Sequence, residues 1–223
     1  METNYLIIVA GGLGNRMKND LPKQFIKIND KEIIVYAIEK FLSFDRSIQI
    51  IIAVHKNYVN LLKTILTQKN LSNIRIVEGG ETRFHSVKKG LDLITQQNAI
   101  VAIHDAARPL VSLQTITKCF ETAFEKGNAV PAIPIFESIR EINNKNNTGA
   151  NRNNFVIIQT PQCFLVSKIK KAFDVSYSEK FTDDASVLEA NGEKINLVEG
   201  NTENIKITRQ IDLIIAKALL CAP

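Results

Sequence analysis

The chain has 223 residues, of which 45% are hydrophobic and 23% are charged. This length and apolar content predict a single domain, residues 1–223, with a real hydrophobic core. The net charge of +5 comes with no basic stripe and no interleaved aromatic residues, so the composition argues against a nucleic-acid reader and fits a small anionic substrate. We find no signal segment and no apolar stretch of membrane length, and therefore expect a soluble protein without a membrane partner.

Strands and helices alternate through the first 135 residues, as judged from runs of apolar residues and from helical periodicity. The predicted strands are 6–10, 48–54, 74–77, 99–103 and 129–135, and the predicted helices are 32–43, 57–68, 82–94 and 112–127. Ser112 and Gly127 are expected to cap the last of these helices. Apolar rather than alternating strands indicate an α/β fold, with a mostly parallel sheet and helices on both faces.

Residues 136–154 break this pattern, because they are dense in turn-forming residues and lack apolar periodicity. Apolar residues on both sides favour a projecting β-hairpin, which we call the arm, although a flexible surface loop fits the composition equally well. The chain is then predicted to continue through residues 155–158, a turn at 160–162, helices near 167–173 and 183–190, a strand at 195–198 and a helix at 209–219. Thr182 is predicted to cap the helix at 183–190.

Cysteine usage indicates the compartment. The three cysteines, Cys119, Cys163 and Cys221, have no C-x-x-C spacing and no nearby histidine. This argues against a zinc site and against a disulfide framework, and it favours a reducing cytoplasm.

A glycine-rich loop follows the first predicted strand, and two cations follow the glycines: Gly11, Gly12, Gly14, Arg16 and Lys23. Glycines let backbone N–H groups approach a phosphate closely. A dinucleotide motif would need a third glycine where Met17 stands, and a Walker A loop would need Gly-Lys-Ser/Thr. The loop therefore predicts a different kind of nucleoside-triphosphate site.

Two more polar motifs follow predicted strands, and the carboxyl ends of parallel strands meet at one edge of a sheet. Gly80 and Ser86 could form a base-reading pocket, or merely a turn into the next helix. Asp105 could hold Mg²⁺ beside phosphates, or it could cap a turn. His104 is expected to hold a backbone hydrogen bond rather than to act in catalysis.

Six motifs in order, from about residue 5 to about residue 215, resemble the 2-C-methyl-D-erythritol 4-phosphate cytidylyltransferases. They are Ala10-Gly-Gly-x-Gly-x-Arg16 with Pro22-Lys23-Gln24, Gly79-Gly80-x-x-Arg83-x-x-Ser86, His104-Asp105-x-Ala-Arg108-Pro109, Thr160-Pro161-Gln162-x-Phe164, Thr182-Asp183-Asp184-Ala185 and Asn204-Ile-Lys206-Ile-Thr208. The resemblance implies a Rossmann-like nucleotidyltransferase fold, a homodimer, and Mg²⁺ as cofactor. It also implies an activity in isoprenoid biosynthesis, in which CTP and 2-C-methyl-D-erythritol 4-phosphate give 4-diphosphocytidyl-2-C-methyl-D-erythritol and pyrophosphate.

The resemblance also implies roles for individual residues. The catalytic cations are Arg16, Lys23 and Lys206. The nucleotide is bound by Ala10, Gly11, Gly12, Gly14, Gly80, Ser86 and Asp105. The polyol phosphate is bound by Asp105, Arg108 and Thr182, and by Ser138 and Arg152 of the arm, which reach the substrate of the other subunit. Asp105 is the Mg²⁺ ligand.

Two positions depart from the family pattern. The family commonly has Ala where Gly11 stands and Thr where Ser138 stands. Gly11 also resembles the ribitol-5-phosphate cytidylyltransferases, an alternative against which the motifs around Ser86 and Asp105 argue. A nucleotide-binding module without turnover is a second alternative, and it has no need of the four charged residues Arg16, Lys23, Asp105 and Lys206.

Overall fold

The structure is a computed structural model that describes residues 3–12, 21–71, 73–143 and 146–221. The strands are β1 (Tyr5–Ala10), β2 (Lys27–Ile28), β3 (Lys31–Glu32), β4 (Gln49–Val54), β5 (Ile74–Glu78), β6 (Ile100–Asp105), β7 (Asn128–Pro134), β8 (Ile139–Asn143), β9 (Asn146–Ala150), β10 (Val156–Ile158), β11 (Gln162–Leu165) and β12 (Leu197–Glu199). The helices are α1 (Ile33–Phe44), α2 (Val59–Gln68), α3 (Arg83–Asp92), α4 (Leu113–Lys126), α5 (Val166–Ala172), α6 (Asp184–Ala190) and α7 (Gln210–Cys221). None of these helices is long and apolar enough to cross a membrane.

In the described part of the chain, eight strands form one sheet in the order β10-β7-β11-β6-β1-β4-β5, with β12 paired to β7. β6, β1, β4 and β5 are parallel neighbours, and β12 is parallel to β7. β11 runs antiparallel to β6 and β7, and β10 antiparallel to β7. The predicted α/β class with a mostly parallel sheet is confirmed.

The central strands are apolar along their whole length because both faces of the sheet are covered. Leu6 and Ile8 of β1 belong to the core beneath α1, α2 and α4. Tyr5 and Ile7, which alternate with them, belong to the core beneath α3, α5 and α6. Burying each large apolar side chain contributes about 1.5–3 kcal/mol, so the two cores fix the sheet whose edge carries the site.

Helix α4 is capped as predicted. The Ser112 hydroxyl accepts a hydrogen bond from the Thr115 N–H at 3.0 Å, and Gly127 ends the helix with a left-handed φ of 88°. Helix α6 differs from the prediction, because its N-cap is Asp183 and not Thr182. The Asp183 carboxylate accepts from the Ser186 N–H at 2.9 Å, and the Ser186 hydroxyl lies 3.2 Å from the Asp183 nitrogen in a capping box.

Short or irregular elements account for the other differences. The β2–β3 hairpin was not predicted, since each strand has two residues, and its turn residues Asn29 and Asp30 have φ of 50° and 61°. β11 (Gln162–Leu165) begins at the last residue of the predicted turn 160–162 and was not predicted as a strand. A short 3₁₀ turn, Lys56–Tyr58, precedes α2, where a continuous helix was expected.

The predicted hairpin at residues 136–154 is confirmed, with β8 and β9 pairing antiparallel. Several large apolar side chains of this region are exposed. Ile142 is 77% exposed and Phe136 is 66% exposed. These side chains find no burial within the described part of their own chain.

Candidate active site

Two adjoining cavities lie at the carboxyl edge of the sheet. The first, about 280 Å³, lies over the ends of β1 and β6 and the start of α3. It brings together most of the residues predicted to bind a nucleotide and two of the predicted catalytic cations: Ala10, Gly11, Gly12, Lys23, Gly80, Ser86, Asp105 and Lys206. The predicted convergence of the strand-end motifs is therefore what the structure shows.

The second cavity, about 270 Å³, lies beside the first. It contains three residues predicted to bind the polyol phosphate, namely Asp105, Arg108 and Thr182. Thr160 and Asp183 also line it. Because Asp183 rather than Thr182 caps α6, the Thr182 side chain is not needed for the cap.

Three charged residues line both cavities: Arg83, Asp105 and Lys206. We call them the shared wall. The Asp105 Oδ2 atom lies 2.9 Å from Lys206 Nζ and 3.5 Å from Arg108 Nε, and its Oδ1 atom lies 3.5 Å from Arg83 Nε. Burial would raise the pKa of Asp105, but Arg83, Lys206 and Arg108 hold that pKa well below its usual range. Asp105 is therefore ionised, and the three cations Arg83, Arg108 and Lys206 outnumber the two carboxylates that they contact, Asp105 and Asp184.

The fit of Asp105 to a magnesium ion can be judged from these contacts. Mg²⁺ prefers carboxylate and phosphate oxygens, and Asp105 offers a carboxylate. Both of its oxygens have cationic neighbours, and the described residues contain no group of three His, Cys, Asp or Glu able to hold a metal. Asp105 is the carboxylate at this wall that would hold a magnesium ion, and phosphate oxygens of a bound nucleotide would have to supply further ligands.

Lys23 owes its position to the residue that follows it. The Gln24 side chain is buried and donates to the carbonyls of Ala10 at 2.7 Å and Gly12 at 3.1 Å. These bonds tie the single turn Lys23–Phe25 to the end of β1 and the start of the glycine loop. Gln24 is thus a site residue to which sequence reasoning gave no role, although it stands in the Pro22-Lys23-Gln24 motif.

The turn before α3 is built around the Ser86 hydroxyl. This hydroxyl donates to the Thr82 carbonyl at 3.0 Å and accepts from the Gly80 N–H at 3.0 Å. A Cβ atom at position 80 would overlap the Cβ of His85, so glycine is needed there for a close approach. Ser86 therefore shapes the wall of the first cavity as well as facing it.

His104 makes the predicted backbone hydrogen bond. Its Nε2 atom lies 3.0 Å from the Arg108 carbonyl, which can only accept, so Nε2 carries the proton. Its Nδ1 atom lies 3.0 Å from the Thr160 hydroxyl, which itself accepts from the Asp105 N–H. With His104 neutral, the Thr160 hydroxyl donates to Nδ1. This directed chain fixes the backbone from Asp105 to Arg108.

His104 should make stability depend on pH. Burial lowers its pKa from 6.5 to about 4, so between these values the unfolded chain binds more protons than the folded protein. Stability is then expected to fall as pH is lowered, by about 2 kcal/mol between pH 7 and pH 5. Denaturant unfolding at both pH values measures this. His104→Gln, which keeps an N–H for the Arg108 carbonyl, should remove most of the fall; an equal fall in the variant would contradict the assignment.

Asn204 is a second residue to which sequence reasoning gave no role. It is fully buried, its side chain donates to the Thr160 carbonyl at 2.8 Å, and its own carbonyl accepts from Arg108 Nη1 at 2.6 Å. Lys206 follows two residues later. Asn204 thus anchors the Arg108 side chain directly and fixes the backbone two residues before Lys206.

Four predicted site residues are not part of the described lining of these two cavities. Gly14 and Arg16 lie outside the described residues. Ser138 and Arg152 lie in the arm, are exposed, and line neither cavity in the described part of the chain. Arg152 donates to the Phe136 carbonyl.

A mostly parallel sheet whose carboxyl edge carries Gly11, Gly12 and several converging cations is typical of an enzyme that binds a phosphorylated ligand, and the family match identifies the class as a nucleotidyltransferase. The family model IspD, 2-C-methyl-D-erythritol 4-phosphate cytidylyltransferase, matches residues 5–222. A relative of that name from Bacteroides thetaiotaomicron is 41% identical over 216 residues, which are 96% of this chain and 98% of the relative. One from Azobacteroides pseudotrichonymphae is 42% identical over 224 residues, 99% of this chain and all of the relative.

Solved structures agree. The 2-C-methyl-D-erythritol 4-phosphate cytidylyltransferase of Francisella tularensis is 33% identical, with a TM-score of 0.80, over 97% of this chain and 99% of that one. The chain belongs to the 2-C-methyl-D-erythritol 4-phosphate cytidylyltransferase family. Family membership confirms the predicted cytidylyltransferase activity in isoprenoid biosynthesis and does not favour the ribitol-5-phosphate alternative.

Proposed function

We propose that cytidylyl transfer takes place at the shared wall, with CTP in the first cavity and methylerythritol phosphate in the second. The observation that carries the proposal is that Arg83, Asp105 and Lys206 line both cavities. Two ligands that fill these cavities would meet at this wall. The reacting phosphates would therefore be held within the excess positive charge around Asp105.

The chemistry at the wall needs charge and position rather than a base. A 4-phosphate oxygen attacks the α-phosphorus of CTP, a new P–O bond forms, and the bond to the leaving pyrophosphate breaks. The attacking phosphate is largely a dianion near pH 7 and needs no deprotonation. Repulsion between two anions is the main obstacle, and Lys23, Lys206 and Arg16 are proposed to offset it as negative charge develops at the α-phosphate.

Binding of the two substrates is assigned to different ends of the site. The end of the site that is proposed to bind CTP adjoins the shared wall. It consists of the residues predicted to bind the nucleotide: Ala10, Gly11, Gly12, Gly14, Gly80 and Ser86. At the other end, Arg108 and Thr182, together with Asp105, are proposed to hold the erythritol part. Arg108 is fixed by the Asn204 carbonyl and by Asp105, which gives it one orientation toward the second cavity.

This division predicts a split between the two Michaelis constants. Ser86→Ala should raise KM for CTP about five- to tenfold, the loss expected for one hydrogen bond, and should leave KM for methylerythritol phosphate nearly unchanged. Thr182→Ala should do the reverse. Initial rates with each substrate varied in turn measure both constants, and each variant serves as the control for the other. Parallel changes of both constants in each variant would contradict the division.

We propose Mg²⁺ as the cofactor. When bound, it would neutralise charge on the triphosphate and so ease the approach of a second anion. Asp105 is the proposed protein ligand. We expect EDTA to stop pyrophosphate release and excess Mg²⁺ to restore it; full activity in EDTA would remove the metal from the proposal.

We also propose a cytoplasmic homodimer whose arms are exchanged between subunits. The exposed apolar side chains of Phe136 and Ile142 support an interface on the arm. Ser138 and Arg152 line neither cavity of their own chain in the described residues, which is consistent with a role at the partner's substrate phosphate. The buried free thiols of Cys119 and Cys163 suit a reducing compartment.

A further inference from the structure

We propose that Arg83 is a positioning residue of the transfer reaction, held in place by Asp184 so that it fixes the Asp105 carboxylate at the shared wall. This inference rests on the placement of the reaction at that wall. Arg83 belongs to the Gly79-Gly80-x-x-Arg83 motif, but the sequence alone assigns this arginine no separate role.

All three guanidinium nitrogens of Arg83 have carboxylate partners. Nη1 donates to Asp184 Oδ1 at 2.7 Å and Nη2 to Asp184 Oδ2 at 2.5 Å. Nε lies 3.5 Å from Asp105 Oδ1. A planar fork that is bound on two sides has a single orientation, so Arg83 presents its Nε atom to Asp105 in a fixed direction.

Asp184 is suited to hold this fork. It lies in the first turn of α6, is fully buried and lines neither cavity of the described site. Burial raises its pKa, and Arg83 works against that rise. Helix α6 begins directly after Thr182 and Asp183, which line the second cavity. Helix α3 begins with Arg83 at the edge of the first cavity. The Arg83–Asp184 pair therefore links the residues of one cavity to those of the other.

The other two cations at Asp105 are ones proposed to act on substrates. Lys206 is half-exposed and faces both cavities, and Arg108 faces the second. A phosphate that enters the site would compete with Asp105 for Lys206. Arg83 keeps its contact with Asp105 because Asp184 binds both Nη atoms of the guanidinium. It thereby keeps the charge of Asp105 compensated and its carboxylate in place while two anions bind.

A single substitution of Arg83 cannot separate positioning from folding, because Arg83→Met leaves the buried Asp184 unpaired. The double variant Arg83→Met/Asp184→Leu replaces both charges with apolar groups, and its denaturation midpoint should return close to that of the wild type. We expect kcat of this folded variant to stay about 10²-fold low, with smaller changes in either KM. A matched control, Lys168→Met/Glu193→Leu, removes an ion pair outside both cavities and should keep full kcat.

A kcat within twofold of the wild type in the double variant would overturn the inference, since the pair would then serve stability alone. Should the double variant not fold, Asp184→Asn decides instead. This substitution keeps the shape of the residue 184 side chain, which lies outside both cavities, so the variant should fold and should have a lower kcat. An Asp184→Asn protein with full kcat would equally overturn the inference. If Ser86→Ala and Thr182→Ala do not each change the KM of a different substrate, the assignment of CTP and methylerythritol phosphate to separate cavities is wrong, whatever the Arg83 variants show.

Discussion

Lys23→Ala is expected to lower kcat by about 10²–10³-fold in a protein that stays folded. Lys23 lines the first cavity, and Gln24 anchors its turn to the end of β1. Losing one preorganised charge that acts on the developing negative charge typically has an effect of this size. Formation of the cytidine diphosphate product, measured with both substrates saturating, tests the expectation.

The matched control for Lys23 is Lys63→Ala. Lys63 is an exposed residue of α2 outside both cavities, so this variant loses the same charge without touching the proposed site. We expect its kcat to equal that of the wild type. A Lys23→Ala enzyme within threefold of the Lys63→Ala enzyme would remove Lys23 from the transition state.

Mixed subunits should regain activity that neither variant has alone. If the arm acts in the partner's site, a heterodimer of Arg152→Ala and Lys23→Ala subunits has one intact site and one doubly defective site. Random exchange at equal concentrations makes half of the dimers mixed, so about a quarter of wild-type activity should return. The rate of product formation after subunit exchange measures this.

The control for subunit mixing uses two defects that belong to the same chain's site. Lys23→Ala mixed with Lys206→Ala should show no recovery, because both lysines line the first cavity of their own chain. An arm that acts on its own subunit would give no recovery in either mixture. Recovery in the control alone would contradict both the arm assignment and the cavity assignment.

The central fold was predictable because its signals are local. Strands buried on both faces appear as continuous apolar runs, as in β1, and Ser112 and Gly127 mark the ends of α4 by their own chemistry. The β2–β3 hairpin could not be predicted because its strands are too short to show a periodic pattern of apolar residues. The cap of α6 was misassigned since Thr182 and Asp183 are both good capping residues, and only the backbone decides between them.

The site was predictable in its members but not in its connections. The glycines and Asp105 follow predicted strands and could be gathered from the sequence, since the carboxyl ends of parallel strands meet, whereas Lys206 was assigned only through the family resemblance. The pair Arg83–Asp184 joins residues 101 positions apart, and the bond from Thr160 to His104 spans 56 positions. Nothing in the local sequence around Arg83 shows which carboxylate it contacts, because the contact with Asp184 exists only once the fold has brought the first residues of α3 and α6 together.

The most direct test of the central claim is pyrophosphate release from CTP with each polyol phosphate in turn, in the presence of Mg²⁺. We expect rapid release with 2-C-methyl-D-erythritol 4-phosphate, and background rates with ribitol 5-phosphate and with no polyol. Release with ribitol 5-phosphate at the higher kcat/KM, or no release with either polyol phosphate, would contradict the account.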